Sequence, residues 1–239
     1  MRILEGEGVK KYFGGLAAVA HVDFYISQGE IVGLIGPNGA GKTTLFNLIS
    51  GSLIPTSGMI RFKGENITGL KPYQICRRGL TRTFQLVKLF GDMTVLENIL
   101  LGSLFGASTG FGESDAKRES LELLEFVRLA DMEKVLGKEL TVANQKRLEV
   151  ARALATKPEL LLLDEIMAGL NPMEVSQATE LIRKIRNKGI TIFMIEHVMK
   201  AIMNISDRII VLHYGEKIAE GVPEEIAENR TVIEVYLGT

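Results

Sequence analysis

The run Gly36-Pro37-Asn38-Gly39-Ala40-Gly41-Lys42-Thr43 constrains this chain more than any other stretch. It matches G-x-x-x-x-G-K-[ST] at every position. Its context is the confirming one, with the apolar run Ile31–Ile35 before it and the helical pattern Lys42–Ile49 after it. Glycines let the backbone wrap closely around phosphate oxygens at φ values other residues avoid. The N–H groups so turned inward, together with a helix N-terminus, present positive partial charge to the anion. Lys42 adds a full charge that reaches the outer phosphates. The Thr43 hydroxyl is placed to ligate Mg2+, and Thr44 adjoins it. A loop of this kind hangs between a buried strand and a helix, so the fold it belongs to is α/β.

The rest of the chain agrees. Nearly continuous apolar runs recur at Ile31–Ile35, Leu160–Leu163, Ile192–Ile195 and Ile209–Leu212. Strands that are apolar on both faces suit a parallel sheet covered by helices. The early runs Ile3–Val9, Phe24–Ile26, Ile31–Ile35 and Met59–Phe62 are separated by connections too short for crossover helices. They are expected to be antiparallel. Helical patterns cover Lys42–Ile49, Gln145–Lys157 and Pro172–Lys188, with Pro172 at a first helical position. The segment from Phe90 to Ala155 has no comparable strand. Leu121, Leu124 and Val127 recur in it at helical spacing within Ser114–Leu129. It reads as a helical lobe inserted into an α/β core, with a Gly/Ser/Thr-rich loop at Ala107–Gly112.

The run Leu160-Leu161-Leu162-Leu163-Asp164-Glu165 is the second chemical signal. It buries a strand and delivers Asp164 at its C-terminal end, where open α/β sheets bind ligands. Asp164 there can hold Mg2+, and Glu165 can polarise a water attacking a phosphate. Alone, an apolar run ending in Asp-Glu is a strand followed by an exposed turn. Paired with the phosphate loop, it is half of a site.

Composition bounds the remainder. The 239 residues suffice for one large α/β domain or a core with an attached lobe, and 46% apolar residues can fill it. A net charge of −1 offers no bulk attraction to nucleic acid. Cys76 is the one cysteine, which excludes an internal disulfide and fits a reducing compartment. Met1–Gly8 carries Arg2, Glu5 and Glu7 and does not read as a signal peptide. The uncharged stretch Asn98–Gly112 is shorter than the roughly 20 apolar residues of a membrane span. The expectation is a soluble chain that reaches a membrane only through a partner.

With both motifs in place, further segments carry a resemblance to ABC-type ATPases, and most closely to the branched-chain amino-acid import type. Phe84-Gln85 resembles the glutamine loop, and Ile195-Glu196-His197 the switch-histidine segment. Ala168-Gly169-Leu170-Asn171-Pro172 resembles the D-loop of that subfamily. Arg82-Thr83-Phe84-Gln85, Leu89-Phe90, Met93–Asn98, Ser206–Ile209, Gly215, Ala219–Gly221 and Val232–Gly238 extend the match over essentially the whole chain. The resemblance implies a P-loop NTPase (RecA-like) core with an N-terminal antiparallel β subdomain and an inserted α-helical subdomain. The core would be residues 1–87 and 156–239, the lobe 88–155. It implies that ATP and Mg2+ bind, with Phe13 stacked on adenine, Gln85 reaching the metal and water, and His197 contacting the γ-phosphate. By themselves, Gln85 reads as a loop residue, His197 as a helix start and Phe13 as core.

The stretch Leu140-Thr141-Val142-Ala143-Asn144 aligns with the family's signature loop, Leu-Ser-Gly-Gly-Gln, but lacks both glycines. The family's loop binds the γ-phosphate held by a partner subunit. Thr141 still offers a hydroxyl and Asn144 an amide, whereas Val142 and Ala143 restrict the backbone. Ile166 stands where the family usually has Pro after the glutamate. The resemblance further implies a second ATPase subunit, membrane-spanning permease subunits docking near Leu86–Val95, an indirectly coupled substrate-binding protein and no nucleic acid. The location implied is the inner face of the cell membrane. Lipopolysaccharide export, another amide or amino-acid cargo, and a soluble ATPase of the same family remain the alternatives.

Overall fold

The computed structural model describes residues 1–85, 88–106 and 113–237. The Ala107–Gly112 loop, Leu86 and Val87 of the expected docking region, and Gly238 lie outside them.

Strands β1 (Arg2–Phe13) and β2 (Leu16–Ser27) pair antiparallel, closing on Phe13↔Leu16 across Gly14 and Gly15. Both are longer than the apolar runs alone suggest, because their outer halves alternate polar with buried residues. Strand β3 (Ile31–Ile35) is buried at every position and leads into α1 (Lys42–Ile49). It does not join the antiparallel group. It lies parallel to two later strands, as its unbroken apolar run requires. Strand β4 (Ser57–Phe62) pairs antiparallel with β1, and the short β5 (Glu65–Asn66) completes that edge.

After α2 (Pro72–Cys76) comes β6 (Leu80–Arg82), then α3 (Val95–Phe105), α4 (Glu113–Phe126) and α5 (Val142–Ala155). Strand β7 (Leu160–Asp164), α6 (Pro172–Asn187), β8 (Thr191–Ile195), α7 (Met199–Ile205), β9 (Arg208–His213) and β10 (Glu216–Gly221) follow. The helices α8 (Pro223–Glu228) and α9 (Arg230–Leu237) end the described chain. The sheet order is β5-β4-β1-β2-β10-β9-β3-β8-β7-β6. An antiparallel wing thus continues into a parallel core sheet, joined where β10 meets β2 at Glu216↔His21.

Helix α1 packs in the angle between wing and core sheet. There the Phe193 ring of β8 lies 5.0 Å from that of Phe46 on α1 and 6.2 Å from that of Phe24 on β2. Such pairs contribute about 0.5–1.5 kcal/mol beyond the area they bury, and they tie the helix that follows the phosphate loop to both halves. On the opposite face, α6 and α7 cover Leu161, Leu163, Ile192 and Met194. A third cluster, with Val95, Ile99, Leu124, Val127, Leu148 and Ala151, forms among α3, α4 and α5. Leu121 differs from expectation: it is exposed, and Ala116, Ser120 and Leu124 carry the buried face of α4, with Val127 buried just beyond its end.

Helix α6 starts as its sequence demands. Asn171 accepts hydrogen bonds from Met173 and Glu174 N–H, the Glu174 carboxylate accepts one from Asn171 N–H, and Pro172 occupies the first turn. Helix α5 begins three residues before the expected Gln145 because Thr141 caps it, accepting from Asn144 N–H at 3.4 Å. No helix among the described residues is long and apolar enough to cross a membrane.

Candidate functional site

The loop from Gly36 to Gly41 folds as its glycines require. Gly36 has φ 150°, and a β-carbon there would lie 2.1 Å from the Leu212 carbonyl oxygen. Gly41 has φ 100°, and its β-carbon would lie 2.3 Å from the Ala18 carbonyl oxygen. A side chain at either position therefore meets both strain and backbone. Gly41 precedes α1 without any side-chain cap, so the first-turn N–H groups stay free to receive an anion. The β9–β10 turn braces the loop: Gly215 N–H donates to the Ala40 carbonyl at 3.0 Å, and Ala20 N–H to the Gly215 carbonyl at 2.8 Å.

The Lys42 ammonium folds back over the loop, donating to the carbonyls of Gly36 at 2.6 Å and Pro37 at 3.0 Å. Burial lowers its pKa, opposed by attraction to Glu165 and Asp164. Thr43 stays exposed at the helix start.

Asp164, 1% exposed at the end of β7, accepts from the Arg82 guanidinium on Oδ2 at 2.7 Å and donates its N–H to Thr83 Oγ1. Burial raises its pKa, and Arg82 opposes that. Arg82 is itself held by Asn47 Oδ1 at 2.6 Å and Ser50 Oγ at 3.2 Å. Asp164 Oδ1 is buried without a hydrogen-bond partner. That free acceptor suits a divalent cation, and the exposed Thr43 hydroxyl is a further candidate ligand. No cluster of three or more metal-binding side chains exists among the described residues. The fit is to an Mg2+ that shares its ligands with nucleotide, not to a protein-only cage.

Glu165 follows in the left-handed region at φ 52°. Its carboxylate is gripped on both oxygens: His197 Nε2 lies 2.8 Å from Oε1, and Gln85 Nε2 donates to Oε2 at 2.9 Å. Gln85, Glu165, His197, Phe13 and the residues from Asn38 to Thr44 all face one cleft of about 640 Å3. Phe13 is half exposed at its rim, with the Lys11 ammonium 5.2 Å from the ring centre. Thr141 and Asn144 do not line this cleft; they stand at the start of α5, with the Val142 side chain exposed beside them. No residue from 140 to 144 has a positive φ. The missing glycines therefore cost this backbone nothing, because the loop runs straight from the Thr141 cap into helix.

The geometry agrees with what comparison of the whole chain finds. A family model described as "ABC transporter" matches residues 19–168. The chain belongs to the ABC transporter ATPase family. A second model, "Branched-chain amino acid ATP-binding cassette transporter", matches residues 216–239 of this cassette. The Escherichia coli K12 high-affinity branched-chain amino acid transport ATP-binding protein LivG is 43% identical to it, covering 99% of this chain and 98% of its own. Among solved structures, the ADP conformation of MJ1267, an ATP-binding cassette of an ABC transporter, superposes with a TM-score of 0.91 at 31% identity over both whole chains. A dimeric, post-hydrolysis ATP-binding cassette, MJ0796, bound to ADP and Pi, does so with a TM-score of 0.84 at 26% identity over 92% of this chain and 98% of that one.

The cassette also places residues at the site that no motif announces. Tyr214 lines the cleft from the β9–β10 turn, at φ 45°. Leu16 lines it from the start of β2. Beneath Glu165, the buried Glu196 accepts the Met167 N–H at 2.8 Å. Burial pushes the Glu196 carboxyl up to about 7, against that hydrogen bond and the attraction of Lys146.

The Glu196 shift has a consequence for stability. A carboxyl raised on folding holds a proton that the unfolded chain has already released. The resulting stabilisation is fully present below the unfolded value of 4.5 and is lost as pH rises through about 7. Glu196→Gln should therefore raise the melting temperature, relative to wild type, more at about pH 8 than at about pH 5. Thermal unfolding of both proteins at the two pH values checks this, and an equal difference at both would contradict it.

Proposed function

We propose that this cassette hydrolyses ATP to drive import of branched-chain amino acids, working in pairs on the inner face of the cell membrane beneath permease subunits. The observation that carries the reading is the convergence of Gln85 and His197 on the Glu165 carboxylate, beside the phosphate loop in one cleft. The cargo rests on the whole-length likeness to LivG and on the C-terminal family match.

In this reading, the N–H groups from Asn38 to Thr44 hold the phosphates, and the Lys42 ammonium exchanges its loop carbonyls for β- and γ-phosphate oxygens. Thr43, Asp164 and Gln85 hold Mg2+, which when bound neutralises charge developing on the phosphate oxygens. Glu165 accepts a hydrogen bond from the attacking water and draws off its proton. His197 keeps that carboxylate oriented and meets the γ-phosphate. Thr141 and Asn144, which do not line this chain's own cleft, serve the ATP of a second cassette, together with the first-turn N–H groups of α5 that the Thr141 cap leaves over. Two chains thus close around two ATP molecules, and hydrolysis releases them. The dimeric MJ0796 cassette bound to ADP and Pi supports such a pairing. The lobe from 88 to 155 then carries the motion to the permeases, which receive cargo from a substrate-binding protein. Nucleic acid has no part in it.

Phe13 stacks on adenine. Base–aromatic stacking contributes about 1–3 kcal/mol, so Phe13→Ala should weaken ATP binding by roughly tenfold or more. Tripolyphosphate, which has no base, should bind as before; equal weakening of both ligands would remove Phe13 from the base site. The cargo is tested by uptake in cells. Deleting the gene should abolish uptake of labelled leucine, isoleucine and valine, and wild type but not Glu165→Gln should restore it. Intact uptake of these three, with loss of another solute or of lipopolysaccharide export, would overturn the assignment.

A further inference from the structure

The turn that presents Glu165 is held by buried polar side chains from outside itself. Lys146, 8% exposed on α5, donates through its ammonium to the Glu165 carbonyl at 2.8 Å and to the Ala168 carbonyl at 2.6 Å. From the other side, the Glu196 carboxylate takes the Met167 N–H at 2.8 Å. Helix α5 makes a second contact with the same assembly. Its buried Glu149 accepts the Phe84 N–H at 3.0 Å, one residue from the Gln85 that grips Glu165 Oε2.

A left-handed conformation at a non-glycine residue costs on the order of 1 kcal/mol or more and persists only where the surroundings impose it. Glu165, at φ 52°, is such a residue. Its carbonyl is one of the two that Lys146 holds. Burying an ammonium is expensive, and an apolar side chain fills space at lower cost. Spending a lysine on two carbonyls of one turn is explained by the need to fix that turn. Lys146 also lies five residues beyond Thr141 on the same rigid helix, roughly 7–8 Å along its axis. Whatever Thr141 touches at a second cassette is therefore mechanically joined to the backbone of Glu165.

We propose that Lys146 is a positioning residue: it fixes the Glu165–Ala168 turn so that the Glu165 carboxylate meets the attacking water, and it ties that setting to the loop at Thr141. This rests on the reading of Glu165 as the group that accepts the proton of water. Lys146 touches no substrate in this scheme. It acts on the transition state through the Glu165 backbone and leaves nucleotide binding to the phosphate loop.

The test compares Lys146→Met, Lys146→Arg, the double variant Lys146→Met/Glu196→Gln and Glu165→Gln. ATP affinity is measured by equilibrium titration and turnover at saturating ATP. Misplacing a reacting group by about an ångström costs on the order of 100-fold in rate. Lys146→Met should thus lose roughly 30- to 100-fold in kcat while its ATP affinity stays within about threefold of wild type. Lys146→Arg, which still offers two N–H groups to the carbonyls, should recover most of the rate. The double variant also removes the buried Glu196 carboxyl that attracts Lys146, so it should fold and show the same loss of rate. Wild-type turnover in Lys146→Met or in the double variant would overturn the proposal. So would a parallel fall in affinity and rate, or an arginine variant no better than methionine. Undiminished turnover in Glu165→Gln would instead remove the reading beneath it, and the proposal with it, whatever the Lys146 variants do.

Discussion

Replacing Glu165 by glutamine is expected to lower ATP turnover by roughly 100- to 1,000-fold, to leave ATP binding at least as tight as in wild type, and to accumulate an ATP-bound dimer. Glutamine has the shape to keep contacts with Gln85 and His197, whose nitrogens lie 2.9 and 2.8 Å from the present carboxylate oxygens. It has no capacity to take a proton from water. The substitution also removes a negative charge from the neighbourhood of the γ-phosphate, which favours the bound state. ATP binds the closed pair better than the open one, and only that difference shifts the equilibrium. Blocking hydrolysis therefore holds the pair closed. Light scattering with and without ATP, beside a phosphate-release assay, reads both effects. Turnover equal to wild type would sink the role of Glu165.

Lys42→Ala is expected to cost about 10- to 100-fold in ATP affinity, the equivalent of the roughly 1.5–3 kcal/mol of a charge-assisted hydrogen bond. The ammonium is already at the mouth of the loop, 2.6 and 3.0 Å from the Gly36 and Pro37 carbonyls. It is buried there, so an anion that reaches it gains more than it would in water. Alanine is a good helix former at the first position of α1, and the positive-φ glycines before it keep their geometry. The loss should fall on phosphate binding and not on folding. Equal affinity in the variant, with an unchanged melting temperature, would take Lys42 out of the site.

The parts of this fold that were legible in the sequence are those whose chemistry is local. The loop from Gly36 to Thr43 needs consecutive residues of particular types, and its context of strand and helix is adjacent in the chain. Strand β7 announces itself because burial on both faces forces four leucines in a row. The cap at Asn171 and the helix after it follow from Asn-Pro-x-Glu. The same kind of signal stands at Thr94-x-x-Glu97, where each side chain bonds the other's backbone at the start of α3, although the apolar run after it carries no clear helical period. Strand β6 is three residues long and gains its identity only by pairing with β7, so no period reveals it.

Remote contacts explain the rest. Tyr214 faces the nucleotide cleft because the β9–β10 turn is pinned to Ala20 and Ala40, a fact of the sheet order alone. Lys146 and Glu196 come together around Met167 from α5 and β8, fifty residues apart in sequence. Exposure likewise misled at Leu121, since helical spacing fixes a face but not which edge of it is covered. Loss of both signature glycines predicts a restricted loop, whereas the Thr141 cap carries it into helix with no positive φ. The cleft and the Thr141 loop lie apart in one chain, and the proposed pairing of two chains would bring them together.

The most direct measurement is ATP turnover per chain by the purified wild-type protein, followed across a wide range of protein concentration. If two cassettes must close around ATP, the rate per chain rises with concentration until the pair is saturated, in step with ATP-dependent association. A rate per chain that does not change with concentration, or a chain that binds ATP and neither associates nor hydrolyses it, would contradict a motor built from two cassettes.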